Sequence, residues 1–211
     1  MNCVFVHGLG QDSSSWDKTI SLMTKPFHFL CPDLFALIKD MEMNYQSLYR
    51  AFSEYCDAIP EPLNLCGLSL GGVLALHYAI DNPSKAQSLT LIGAQYKMPK
   101  NLLKLQNVIF RVMPKSLFKN MGLSKNEVIG LTKSMMDLDF NERLKDISCP
   151  ALILCGDKDG ANKKASKGLA EGIPAAELQF VEGAGHELNI DRPQELAAML
   201  SVFWRRERVD T

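Results

Sequence analysis

The sequence predicts an α/β fold: a mostly parallel sheet of about six strands, helices on both faces, and a small helical insertion. Three observations carry that expectation. Short apolar runs recur at Cys3–Val6, Phe27–Cys31, Leu63–Cys66, Ser88–Ile92, Ala151–Cys155 and Leu178–Val181. They are predominantly apolar rather than strictly alternating, as strands covered on both faces tend to be. Between them lie segments with helical periodicity, at about Ser14–Thr24, Tyr45–Ala58, Leu70–Ile80, Ala161–Glu171 and Pro193–Arg206.

Local punctuation supports each element. The third run is bounded by Pro62, and the helix after it stops at Asp81-Asn82-Pro83, because the residue before a proline is pushed out of the helical region. Pro193 suits a first helical turn, where its missing N–H would be unpaired anyway. The alternation breaks only over Ala94–Lys145. There Leu102, Leu103, Leu105, Val108, Ile109 and Val112 fall at amphipathic spacing, and further helices are expected near Lys115–Met121 and Lys125–Met136. The expected division is therefore a core of residues 1–93 and 146–211, with 94–145 inserted between two of its strands.

Composition narrows the function classes. A chain of 211 residues, 46% apolar and 22% charged, suits a globular domain with a sizeable core. Its formal net charge of −1 gives no footing for nucleic acid. The six cysteines lack a C-x-x-C pair or a framework spacing, which argues against a metal and for a reducing cytoplasm. The first seven residues carry no basic region, and no apolar stretch reaches the length of a membrane span, so neither a signal peptide nor stable membrane insertion is expected.

The chemistry is concentrated in loops. Gly67-Leu68-Ser69-Leu70-Gly71 joins a strand-like run to a helix-like one, the setting in which a sharp turn lifts a serine hydroxyl clear of a strand end. A serine nucleophile needs a base, and the base needs an orienting acid. The loop after Ala151–Cys155 offers Asp157 and Asp159, and the loop after Leu178–Val181 offers His186. In an open α/β sheet such carboxyl-end loops share one edge, so distant residues converge there. At the start of the chain, Val6-His7-Gly8-Leu9-Gly10 is a strand running into a glycine turn. A backbone N–H from that turn, with that of Leu70, is positioned for an oxyanion.

In these four motifs and their order the chain resembles the α/β-hydrolase family, in its lid-bearing serine esterase branch. The matching residues are His7-Gly8-Leu9-Gly10, Gly67-Leu68-Ser69-Leu70-Gly71-Gly72, Gly156-Asp157-Lys158-Asp159 and Gly183-Ala184-Gly185-His186. The resemblance implies Ser69 as nucleophile, His186 as base, Asp159 as the acid, and the N–H groups of Leu9 and Leu70 as the oxyanion hole. It implies no organic cofactor and a lid over residues 94–145. One departure stands out: family members usually have two strands before the His-Gly turn, and here the N-terminal edge strands are missing.

The expected reaction is hydrolysis of a small-molecule carboxylic ester or thioester. Alternatives on the same triad are a C–C bond hydrolase, a lactonase or a perhydrolase; outside catalysis, a low-turnover small-molecule sensor. Trp16, Met98, Met113, Met135 and Met136 are candidates for the substrate pocket, and Met121, Phe110 and Phe118 could extend it. Packing is the plainer reading for each. His7, His28 and His77 read as structural. Within Ala94–Lys145, eight Lys and two Arg face two Asp and two Glu, a net +6. That is either a solvated face or an attractor for an anionic substrate or membrane surface. A monomer or homodimer is expected.

Overall fold

In the computed structural model the described residues are 1–23, 27–39, 41–114 and 123–206. Six strands form one sheet: β1 (Asn2–Val6), β2 (His28–Leu30), β3 (Leu63–Leu68), β4 (Ala86–Ile92), β5 (Ala151–Gly156) and β6 (Ala176–Val181). Their spatial order is β2-β1-β3-β4-β5-β6, and every pairing is parallel. The strand order reverses at β1, which opens a crevice above the carboxyl ends of β1 and β3. The three-residue β2 forms one edge of the sheet, so β1 is paired on both sides.

The helices are α1 (Asp17–Ser21), α2 (Leu34–Leu37), α3 (Tyr45–Asp57), α4 (Leu70–Asp81), α5 (Lys100–Val112), α6 (Lys125–Ser134), α7 (Lys163–Gly172), α8 (Leu188–Asp191) and α9 (Pro193–Arg206). They divide between the two faces of the sheet. Val4 and Val6 of β1 point into a core with α3, α4 and Leu169 of α7, while Cys3 and Phe5 point into a second core with Trp16 and α9. This two-sided burial is the physical reason that the strands read as mainly apolar runs. The outer strand β6 departs from it: Glu177, Gln179 and Phe180 are exposed.

Two local expectations are corrected, and two short helices were not anticipated. The single helix expected over Ser14–Thr24 is a 3-10 turn at Ser13–Trp16 followed by the short α1. Asp12 accepts hydrogen bonds from the Ser14 N–H and hydroxyl, and such local side-chain bonding competes with regular α-helix. The helix expected from Ala161 begins at Lys163. Helices α2 and α8, four residues each, are too short to leave a periodic signal.

Between β4 and β5 the described residues hold α5, α6 and a 3-10 turn at Asn141–Asp146, with no strand. Ser124 and Glu127 form a reciprocal capping box at the start of α6. The helix expected near Lys115–Met121, with Phe118 and Met121, lies outside the described residues. No described helix is long and apolar enough to cross a membrane.

Candidate active site

The turn between β3 and α4 presents Ser69 in an unusual conformation. Its φ of 52° and ψ of −113° make it the one non-glycine residue with positive φ among the described residues. Neither flanking glycine shares that feature. Their role is close approach: a Cβ on Gly67 would run into the Gly71 carbonyl, and one on Gly71 into the Val6 carbonyl. The strain therefore sits on the serine, and the glycines let strand, turn and helix pack tightly enough to hold it there.

The loop after β1 lies against this turn, where a Cβ on Gly8 would stand 3.5 Å from the Ser69 Cβ. His7 fixes that loop. The Leu34 N–H donates to His7 Nε2 at 3.0 Å, so the proton is on Nδ1, which donates to the Gly8 carbonyl at 2.9 Å. Burial lowers the His7 pKa, against the pull of the Gly8 bond and of Asp33 and Asp12. Among the described residues, neither the Leu9 N–H nor the Leu70 N–H is taken by a hydrogen bond. Leu70 opens α4, whose first-turn N–H groups lack helical partners in any case.

His186 and Asp159 meet from the loops after β6 and β5. Asp159 Oδ2 accepts from His186 Nδ1 at 2.8 Å. That leaves Nε2 as the free ring nitrogen. The bond to Asp159 raises the His186 pKa; burial opposes this, and the charges of Asp159 and Glu187 add to it. At Asp159, 7% exposed, burial works to raise the pKa. Hydrogen bonds from His186 and Asn162, with the imidazolium charge, outweigh burial and hold it below the ordinary value. Asp157 makes no hydrogen bond to His186. The histidine loop is tied back to the loop after β1, since Asn189 donates to the Gln11 side chain and to the Ser15 carbonyl.

Ser69 and His186 line one cavity of about 240 Å³ together with Leu9, Leu70, Gly93, Gln95, Met98, Leu131, Thr132, Met135 and Asn162. No hydrogen bond joins Ser69 Oγ to His186 Nε2 among the described residues. The helical segment between β4 and β5 forms one wall. Of the pocket candidates, Met98 and Met135 lie on that wall. Trp16 does not: it is fully buried, its ring centroid 5.0 Å from that of Phe5, because the turn at Ser13–Trp16 faces the second core. Met113 packs instead beside Leu123 and Val128, and Met136 is absent from the lining. The sequence reading missed Gly93, Gln95, Leu131, Thr132 and Asn162. Of these, Asn162 alone had a signal, three residues after Asp159 at the start of the expected helix.

Part of the positive charge of residues 94–145 is matched by ion pairs, Lys97 with Asp139 and Lys100 with Asp137, both at 2.6 Å, and Arg143 with Asp81 at 2.9 Å. His77 stacks on Tyr49 with centroids 3.7 Å apart, and His28 bonds Asn2. Among the described residues no cluster of three or more His, Cys, Asp or Glu is arranged to hold a metal ion.

Comparison with known proteins agrees with this architecture. A family model described as "Alpha/beta hydrolase family" matches residues 3–199. The chain is 23% identical to the "Probable lysophospholipase BODYGUARD 1" of Arabidopsis thaliana, across 97% of this chain and 59% of that protein, so it spans well under two thirds of that relative. It is 26% identical to the "Pimeloyl-[acyl-carrier protein] methyl ester esterase" of Legionella pneumophila (strain Corby), across 75% of this chain and 76% of that protein. Among solved structures, a thermophilic esterase from Thermogutta terrifontis superposes with a TM-score of 0.81 at 18% identity, covering 98% of this chain and 90% of its own, a likeness of fold.

Proposed function

Because the chain belongs to the alpha/beta hydrolase family, we propose that it is a serine hydrolase. It would cleave carboxylic esters or thioesters of small to medium acyl groups through an acyl-enzyme intermediate. The observation that carries this reading is the His186–Asp159 pair, bonded at 2.8 Å, opening with Ser69 onto one cavity beside unbonded Leu9 and Leu70 amides. The names of the relatives above, an esterase and a lysophospholipase, support ester bonds as the target.

In this mechanism Ser69 Oγ attacks the substrate carbonyl carbon while His186 Nε2 takes its proton. The Leu9 and Leu70 N–H groups receive the oxyanion, each such donor contributing about 3 kcal/mol. Collapse of the tetrahedral intermediate expels the alcohol or thiol, protonated by His186. Water, deprotonated by the same nitrogen, then releases the acid and restores Ser69. Asp159 holds the imidazole tautomer with Nδ1–H and stabilises the imidazolium. No cofactor or metal enters these steps. The segment 94–145 serves as a lid whose Met98, Leu131 and Met135 give the acyl chain an apolar wall.

Incubation with p-nitrophenyl butyrate and with a fluorophosphonate probe tests the reading. Turnover and labelling of Ser69, both lost in Ser69→Ala, are expected. Labelling with negligible turnover across ester chain lengths would favour a sensor, and folded wild-type protein that fails to label would refute the triad.

A further inference from the structure

Asn162 occupies the residue just before α7, where an asparagine ordinarily turns its side-chain oxygen back to cap the helix. Here it makes no capping bond. Its amide is 8% exposed and faces the other way, Nδ2 donating to both oxygens of Asp159, at 2.9 Å to Oδ1 and 2.8 Å to Oδ2. Gln95, the second residue of the inserted segment, donates from Nε2 to Asn162 Oδ1 at 2.7 Å. An amide has one donor end and one acceptor end. With Gln95 occupying the acceptor end, the donor end of Asn162 is committed to the carboxylate.

From this chain of bonds we infer that Asn162 is a positioning residue for the Asp159 carboxylate, and that Gln95 sets the orientation of Asn162, tying the acid to the start of the inserted segment. The inference rests on the serine hydrolase reading above. Asp159 needs such a partner: a buried carboxylate with one donor would keep lone pairs unsatisfied and rotate about its Cβ–Cγ bond. Asn162 also has a consequence at the base. Its Nδ2 lies 3.2 Å from His186 Nδ1, so two N–H dipoles converge on one oxygen, and the asparagine dipole opposes protonation of the imidazole. The other charged groups facing His186 are Asp159 and Glu187, both of which favour protonation.

The test is the pH dependence of kcat/KM on p-nitrophenyl butyrate for wild type, Asn162→Leu, Asn162→Ser, Gln95→Met and the double variant Gln95→Met/Asn162→Leu, each checked for folding by thermal melt. Removing the amide from position 162 is expected to lower kcat roughly tenfold with little change in KM. It should also move the acid limb upward by about half a pH unit to one unit. Serine, which keeps a donor, restores part of both. Gln95→Met gives a smaller change of the same sign, and the double variant is no worse than Asn162→Leu. A folded Asn162→Leu with an unmoved acid limb, or additive effects in the double variant, would overturn the inference. Should Asn162→Leu not fold, an unshifted limb in Gln95→Met does so. Wild-type protein that neither labels at Ser69 nor turns over would instead remove the hydrolase reading itself.

Discussion

Gly93 and His186 stand so close that a Cβ on the glycine would lie 2.9 Å from the imidazole Nδ1 and 3.2 Å from Asp159 Oδ2. Gly93 also has a φ of 53°, a conformation that resists any side chain. The His186–Asp159 pair is thus packed directly against backbone at the end of β4, with Asn162 on the carboxylate. Gly93→Ala should therefore act on chemistry more than on binding. A loss of at least about 100-fold in kcat is expected, since small misplacements of reacting groups cost that much. The measurement is steady-state kinetics on a variant shown to be folded.

Ser69 carries strain that a glycine would not. A non-glycine residue in such a conformation costs about 1–3 kcal/mol, and the unfolded-state entropy of glycine returns up to about 1 kcal/mol of that. Ser69→Gly is expected to raise stability by about 1 kcal/mol while abolishing turnover. Urea unfolding of the two proteins compares them, and a less stable glycine variant would mean that the turn is not strained.

On the proposed ester-hydrolase reading, the cavity sets an acyl limit. Its apolar wall of Met98, Leu103, Leu131 and Met135 is where an acyl chain would be buried. Across p-nitrophenyl esters, kcat/KM should rise by up to about fourfold per methylene while the chain is being buried. It should then fall once the chain outgrows that wall. Leu103→Ala, at the cavity wall, should move the optimum to longer chains.

If His186 is the base, as proposed, its pairing predicts the acid limb. Because its bond to Asp159 raises the His186 pKa, the imidazole is protonated and unable to accept from Ser69 until the pH exceeds the ordinary histidine value of about 6.5. Activity should rise with pH through that raised value. An acid limb below 6.5 would contradict the pairing.

How far the sequence spoke depended on whether a residue's role was local. Gly67, Ser69 and Gly71 act within one turn, and His186 follows two glycines in one loop, so local pattern pointed to them. The strands were legible because both faces of the sheet are covered. Trp16 and Met113 were not, since which side of the sheet a side chain enters depends on packing against distant segments: Phe5 for one, Leu123 and Val128 for the other. Gly93, Gln95 and Asn162 matter through contacts spanning 24 to 93 residues of chain. No periodicity records such contacts.

His7 links the Gly8-Leu9 turn to stability. It is fully buried and neutral, bonded to the Leu34 N–H and the Gly8 carbonyl, and burial lowers its pKa. The unfolded chain, with its histidine near 6.5, takes up a proton first as the pH falls. The contribution of His7 is therefore complete above about pH 6.5 and declines as the pH drops from there toward the lower folded value. His186, raised rather than lowered, behaves oppositely: its contribution is complete below 6.5 and fades as the pH rises through its folded value. His7→Ala leaves the buried Leu34 N–H unpaired and should cost about 2 kcal/mol at pH 7.5. It should also flatten the decline in stability between pH 6.5 and 5, and lower kcat by releasing the Gly8-Leu9 turn. Urea melts of both proteins at a series of pH values separate the effects. A variant that loses stability equally at pH 7.5 and pH 5 would show that His7 acts through its bonds and not through its proton.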